Sequence, residues 1–313
     1  MMQKDNFRIA NLTLDERILF LNAFNLTETD YIRHYNEPIL NICIGYDDYR
    51  KKLALYRKFL AKREKGFSVS AIVGKKDFYR STFFVNENVL IPRPETETLV
   101  EYTIEKVIPE LIKNKTDSCN KINNNNTIDA LNVLDICTGS GCIGISLLKD
   151  CILRNINTSF TLSDKSELAL EIAHKNYINI IKNNIENNYS NTKYTLEIIN
   201  SDLFDNIKEN SKFDLVVSNP PYVKQSDYND LQIEVKKEPK IALIGGEDGL
   251  DIIRRLISDS SAFLKPSGVL LFEFGIGEEN DIFELLNSNI LYRNIRIIND
   301  LTDRPRFAYA SRV

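Results

Sequence analysis

The sequence predicts an α/β fold: a mostly parallel, doubly wound sheet of seven strands, preceded by a small helical domain and a β-hairpin. Three observations carry this. From Leu131 onward, β-rich runs alternate with helical periodicity, the pattern of a parallel sheet covered on both faces. The run Leu131-Asn132-Val133-Leu134-Asp135 opens into a glycine-bearing turn, Ile136-Cys137-Thr138-Gly139-Ser140-Gly141. A second apolar run, Phe213-Asp214-Leu215-Val216-Val217-Ser218, reads as a buried parallel strand and ends in Asn219-Pro220-Pro221-Tyr222.

The elements follow in order. Between Leu12 and Glu64, Leu14, Ile18, Leu19, Leu21 and Phe24 recur at helical spacing, as do Leu53, Leu55, Tyr56, Phe59 and Leu60. Thr13 or Asp15 can cap the first helix and Gly66 can end the last, which gives a helical domain over residues 1–77. The aromatic run Phe78–Val85, the polar Asn86-Glu87-Asn88 and the run Val89–Ile91 read as a hairpin, within a linker of residues 78–95. A helix starting near Glu97, with Leu99, Val100 and Ile104, opens a domain of residues 96–313. Strands are expected near 131–135, 159–163, 194–200, 213–218, 268–274, 293–299 and 306–312. Two asparagine-rich stretches, Lys113–Asn126 and Asn183–Asn191, read as mobile surface insertions.

Composition excludes several function classes. The chain has 313 residues, 43% of them hydrophobic and 27% charged, which suits a soluble protein with a substantial core. A net charge of -4 offers no global basic field, so direct nucleic-acid binding is not expected. The polar start and the lack of a long apolar run point to a cytoplasmic protein without membrane association. Cys43, Cys119, Cys137, Cys142 and Cys151 lack zinc-type spacing and read as free thiols. The two histidines, His34 and His174, lie near no acid, cysteine or serine motif, so neither a metal nor a histidine-based triad is expected.

The two strand-end motifs suggest the chemistry. The glycine turn leads directly into the apolar Ile145-Ser146-Leu147-Leu148, so backbone N–H groups at a helix start can approach a nucleotide-like ligand. The next strand ends in Asp164, placed to accept from ribose hydroxyls, and the third is followed by Asp202, placed to accept from an adenine amino group. In the fourth motif the Asn219 side-chain oxygen and the Pro220 carbonyl can accept the two N–H bonds of a planar NH2 group. Two prolines stiffen that backbone, and the Tyr222 ring offers a flat surface. Together the motifs point to methyl transfer from S-adenosylmethionine to a planar nitrogen, with S-adenosylhomocysteine as product.

At these residues the chain resembles the protein-(glutamine-N5) methyltransferases that modify class 1 peptide chain release factors. The likeness runs through Ile72-Val73-Gly74, Phe78-Tyr79, Val89-Leu90-Ile91-Pro92-Arg93-Pro94-Glu95-Thr96-Glu97, Asp135 to Gly141, Asp164 and Asn219 to Tyr222. It continues through Glu238-Pro239, Ala242-Leu243 and Gly245–Leu250, so that it covers about residues 60–313. It implies a class I, Rossmann-like methyltransferase domain behind a helical substrate-recognition domain, acting as a monomer on the glutamine of a Gly-Gly-Gln loop. It further implies that Cys137, Thr138, Gly139, Ser140, Gly141, Asp164, Asp202, Leu203, Arg93 and Thr96 bind the cofactor. Asn219, Pro220, Pro221 and Tyr222 would bind the substrate, Asn219 also lying near the cofactor, with Asn219, Pro220 and Tyr222 catalytic. Two departures stand out: Cys137 replaces the first glycine of the turn, and Leu203 replaces a bulky aromatic after the third-strand acid.

Three other readings share some of these features. A DNA adenine-N6 methyltransferase uses the same Asn-Pro-Pro-Tyr logic on a flipped base, but it needs a basic DNA-facing surface. A ribosomal-protein glutamine methyltransferase is a sibling class, which the Arg93–Glu97 segment resembles less well. A cofactor-binding scaffold would need neither Asp164 nor the intact Asn219–Tyr222.

Overall fold

The computed structural model describes residues 12–35, 37–122, 130–185 and 192–313. Two compact units emerge, one ending at Lys75 and joined by Gln232–Lys237, the other made of Lys76–Leu231 and Glu238–Val313.

The first unit is helical. Helix α1 (Leu14–Phe24) starts in a capping box, in which Thr13 Oγ1 accepts from Glu16 N and Glu16 Oε2 accepts from Thr13 N. Helix α2 (Glu28–Arg33) repeats the device with Thr27 and Asp30. A 3-10 turn (Ile39–Ile42), α3 (Tyr46–Glu64) and α4 (Val69–Val73) complete the unit. Phe20 stacks on Phe24 at 4.4 Å and meets Tyr56 edge-on at 5.5 Å, inside a core with Leu19, Tyr31, Ile39 and Leu53. Arg63 ties Asp15 (2.7 Å) and Glu234 (2.9 Å) together.

The second unit begins with a hairpin whose register differs from the sequence expectation. Its strands are β1 (Lys75–Phe78) and β2 (Ser81–Phe84), and Tyr79-Arg80 forms the turn in place of Asn86–Asn88. Both turn residues have positive φ, 38° and 58°, as a tight two-residue hairpin of matching twist requires. Val89 and Ile91 are buried without being in a strand, and Val89 lines a cleft. Helix α5 (Pro94–Tyr102) starts at Pro94, three residues before the expected Glu97, since a proline at the first helical position forfeits an N–H that would have no partner. It runs through a π segment (Thr103–Val107) into α6 (Ile108–Ile122), beside Pro109, which cannot donate to the helical ladder. Lys113–Ile122 is therefore helix rather than an insertion. Asn123–Asn126 of that stretch, and residues 186–191 of the other, lie outside the described residues.

The main sheet follows: β3 (Leu131–Ile136), α7 (Cys142–Leu153), β4 (Thr158–Asp164), α8 (Glu167–Tyr177), β5 (Tyr194–Asn200) and β6 (Phe213–Ser218). Short β7 (Val223–Lys224) and β8 (Ile244–Gly246) pair with each other, and α9 (Asp251–Phe263), β9 (Leu264–Glu273), α10 (Glu279–Asn287), β10 (Tyr292–Asn299) and β11 (Pro305–Arg312) finish the unit. The seven-stranded order is β10-β11-β9-β6-β3-β4-β5, with β3, β4, β5, β6 and β9 parallel and β11 antiparallel to both its neighbours. Alternation along the strands feeds two cores. Val133, Leu215 and Leu271 point to one, while Leu134, Val216, Leu270 and Phe272 point to the other.

This order positions the site. From β3 the chain builds outward through β4 and β5, then returns to place β6 on the other side of β3, a topological switch point. Ile136 and Ser218 are in register across it, and Ser218 Oγ donates to Ile136 O at 2.7 Å, locking the two strand ends side by side. The glycine turn and the Asn-Pro-Pro-Tyr segment both leave from that point.

Candidate functional site

A cleft of about 340 Å³ opens over these strand ends. On the β3 side it is lined by Cys137 and Gly139 of the glycine turn, whereas Thr138, Ser140 and Gly141, expected beside them, do not line it. Cys137, Gly139 and Gly141 all have left-handed φ (57°, 55° and 80°). Cys137 thus holds a conformation that costs a non-glycine residue roughly 1 kcal/mol or more, and its side chain lines the cleft. A Cβ on Gly139 would meet nothing within 4 Å, so the backbone at this point faces open space where a ligand can approach closely. Burial pushes the Cys137 thiol well up, so it is a neutral small wall group.

Asp135, fully buried, holds the turn from beneath: Oδ2 accepts from Thr138 Oγ1 (2.6 Å) and from Gly144 N (2.9 Å). Desolvation raises its carboxyl to about 7, against the pull of those two donors. Asp135 Oδ1 and Ser140 Oγ are buried without partners, an unused polar capacity next to the cleft. Asn176 braces the turn from the side, donating to Ser140 O (2.8 Å) and Phe84 O (3.0 Å).

At the β4 end, Asp164 lines the cleft and accepts from Gly139 N at 2.8 Å through Oδ2 and from Ser166 N at 2.9 Å through Oδ1. Burial raises its pKa, and these N–H groups oppose the rise. At the β5 end, Asp202 and Leu203 also line the cleft, Leu203 with φ 50°. Both Asp202 oxygens are engaged by cations, Lys165 at 2.6 Å and Arg255 at 3.0 Å, and the Lys165 bond chiefly holds its carboxyl below the usual range. That leaves Asp202 less free to accept from a ligand amine than the sequence suggested.

At the β6 end, Asn219 and Pro221 line the cleft. Pro220 is buried and, unlike its neighbours, does not line the cleft as expected. Tyr222 departs from expectation: its ring packs into the core on that face of the sheet and does not line the cleft. Its hydroxyl donates to Glu273 Oε1 (3.1 Å) and accepts from Arg306 Nη2 (3.0 Å). Gly245 lets this loop pack, since a Cβ there would come within 2.6 Å of Pro221 O.

Thr96 and Arg93 also sit elsewhere than expected, because neither lines the cleft. Thr96 is buried between Glu273 and Asn219. Arg93 pairs with the buried Glu238 at 2.9 Å, and Glu238 also accepts from Ile91 N. Burial raises the Glu238 carboxyl and Arg93 counters it. This pair fastens two wall segments, Asn88–Leu90 and Pro239–Ala242, which with Ile244 and Ile252 close the cleft. The sequence read Val89–Ile91 as a hairpin strand and gave Pro239 and Ala242 no role of their own, since apolar loop residues carry no chemical signature.

Among the described residues, no group of His, Cys, Asp and Glu could hold a metal ion, and no helix is long and apolar enough to cross a membrane. Cys43, Cys137, Cys142 and Cys151 are free thiols.

The family model of the methyltransferase small domain matches residues 119–236. The release factor glutamine methyltransferase of Leptospira interrogans is 35% identical over 312 residues, covering 97% of this chain and 92% of the relative. The chain belongs to the release factor glutamine methyltransferase family. The Bacillus cereus member is 32% identical over 257 residues, covering 82% of this chain and 80% of its own. A bifunctional methyltransferase of Rickettsia typhi is 34% identical over 277 residues, of which this chain spans 50% of the length. Within this family's fold, a class I methyltransferase sheet, the glycine turn and the Asn-Pro-Pro-Tyr segment share one cleft.

Proposed function

We propose that the protein transfers a methyl group from S-adenosylmethionine to the side-chain amide nitrogen of the glutamine in the Gly-Gly-Gln loop of class 1 peptide chain release factors. The observation that carries this reading is the convergence of Gly139, Asp164 and Asn219 on one cleft at the switch point, in a chain whose relatives bear that name. The helical unit is the surface that would recognise the protein substrate, because one glutamine side chain offers too little contact for protein-level specificity. The cytoplasm, where translation terminates, is the compartment this reading implies.

The residues present suit the cofactor. Gly139 leaves room for close backbone approach, and Asp164 presents a carboxylate for hydroxyls. Leu203 and Ile241 supply apolar walls for a flat base. When bound, S-adenosylmethionine supplies an electrophilic methyl on a sulfonium. The chain's own part is orientation. An amide nitrogen is a poor nucleophile, since its lone pair is delocalised. Asn219 Oδ1 accepts an N–H bond of the amide and holds its plane, and it strengthens as positive charge develops on nitrogen. The extra proton then leaves to water, so no dedicated base is needed.

Labelled S-adenosylmethionine offered together with a purified release factor, a ribosomal protein and duplex DNA tests the reading. Label in the release factor alone is expected; label in DNA or only in the ribosomal protein would overturn it.

A further inference from the structure

Behind Asn219 lies a buried polar chain that the reaction as described does not use. Glu273, at the end of β9, is fully buried and receives three donors. Thr96 Oγ1 donates to its Oε2 at 2.7 Å; Arg306 Nη2 (2.8 Å) and Tyr222 OH (3.1 Å) donate to its Oε1. Thr96 Oγ1 in turn lies 3.3 Å from Asn219 Nδ2. Among the described residues no donor engages Asn219 Oδ1.

Hydrogen counting gives this chain a direction. Burial raises the Glu273 carboxyl, and Arg306, then Thr96 and Tyr222, oppose that rise. Paired with Arg306 at 2.8 Å it is held as a carboxylate, which has no proton to offer and can only accept. The single Thr96 hydroxyl proton is therefore spent on Glu273, and Thr96 faces Asn219 with lone pairs alone. An amide end opposite lone pairs must be the NH2 end. The oxygen end is then left for the cleft, where an incoming amide needs an acceptor.

We infer that Glu273 and Thr96 are positioning residues that fix the flip state of the Asn219 amide, so that Oδ1 rather than Nδ2 faces the substrate nitrogen. The inference rests on the proposed methylation of a planar amide. An Asn219 flipped the other way would aim a donor at a donor. Tyr222 and Arg306 have a part as well: they hold the far oxygen of Glu273, which keeps the near one turned to Thr96.

Three variants and a double variant test it. Glu273→Gln must turn its oxygen toward Arg306 and its NH2 toward Thr96. The Thr96 proton is then free to point at Asn219, and the amide inverts. A preference reversed by one net hydrogen bond lowers kcat about tenfold. Thr96→Val removes the lone pairs, and an orphaned N–H is worse than an orphaned carbonyl, so the amide inverts again and kcat falls roughly three- to tenfold. Thr96→Ser keeps the hydroxyl and restores kcat to within about twofold of wild type. In the double variant, Thr96→Val leaves no hydroxyl proton to relay, so Glu273→Gln costs nothing further. The S-adenosylmethionine Kd, measured by calorimetry, stays unchanged throughout.

Additive losses in the double variant, or a folded Thr96→Val with wild-type kcat, would overturn the inference. The Thr96 pair decides the matter even where Glu273→Gln, with Arg306 left unpaired, does not fold. A wild-type protein that methylates no release-factor glutamine, or an Asn219→Ala with near-wild-type kcat, would instead sink the functional reading beneath it.

Discussion

Asp164→Ala removes a carboxylate whose two oxygens already accept from Gly139 N (2.8 Å) and Ser166 N (2.9 Å). Each oxygen retains a further lone pair, and the group lines the cleft, so it can accept from ligand hydroxyls without giving up either backbone partner. Hydrogen bonds to a charged acceptor contribute about 1.5–3 kcal/mol, which corresponds to roughly a 10- to 150-fold rise in Kd for S-adenosylmethionine. Asparagine will not rescue the site, because its one oxygen can serve only one of the two backbone N–H groups and its NH2 opposes the other. Isothermal calorimetry of wild type and both variants is the assay. The pH profile adds a second check. Burial raises the Asp164 pKa, so in the wild type affinity falls as pH drops through that raised value and the carboxylate is lost. The Ala variant lacks this component of the profile. An unchanged Kd in a folded Asp164→Ala would refute the reasoning and reduce Asp164 to a brace for the glycine turn.

Asn219→Ala removes the amide acceptor and should lower kcat about 10²-fold while leaving cofactor Kd nearly constant, as steady-state kinetics beside calorimetry will show. Gly245→Ala places a Cβ within 2.6 Å of Pro221 O, so the loop must shift; a displacement of that order is expected to cost kcat tenfold or more in the same assay. Asp135→Asn bears on stability. The carboxyl is raised from 3.8 to about 7, so the folded state holds the proton more tightly and wild-type stability falls as pH rises between those values. The contribution is at most about 4 kcal/mol. Urea unfolding at pH 4.5 and 7.5 should show that decline reduced in the Asn variant, and an identical decline in both proteins would contradict the assignment.

Much of this was legible in the sequence, and for identifiable reasons. A fully buried strand such as Phe213–Ser218 has no polar face to confuse its reading, and the motifs at its end and after Leu131–Ile136 consist of residue types with little structural freedom. The hairpin was misplaced because Phe78–Val85 is β-rich throughout, while the turn at Tyr79-Arg80 requires positive φ from residues that rarely adopt it. Helical continuation through Lys113–Ile122 was hidden by its polar composition. The chain from Glu273 to Asn219 was invisible for another reason: Thr96 lies 123 positions from Asn219 and 177 from Glu273, and only the packing of α5 against the sheet brings them together. A charge at the end of an apolar run, Val269-Leu270-Leu271-Phe272-Glu273, was the one available hint.

The central claim, that this cleft methylates a glutamine amide, is tested most directly by peptide mapping. A purified class 1 release factor is incubated with the protein and S-adenosylmethionine carrying a labelled methyl group, then digested and fragmented in a mass spectrometer. The account predicts one added methyl, on the side-chain nitrogen of the glutamine in the Gly-Gly-Gln peptide, forming about 10²-fold more slowly when Asn219→Ala replaces the wild type. A methyl on any other residue, or an unmodified glutamine with active cofactor turnover elsewhere, would contradict it.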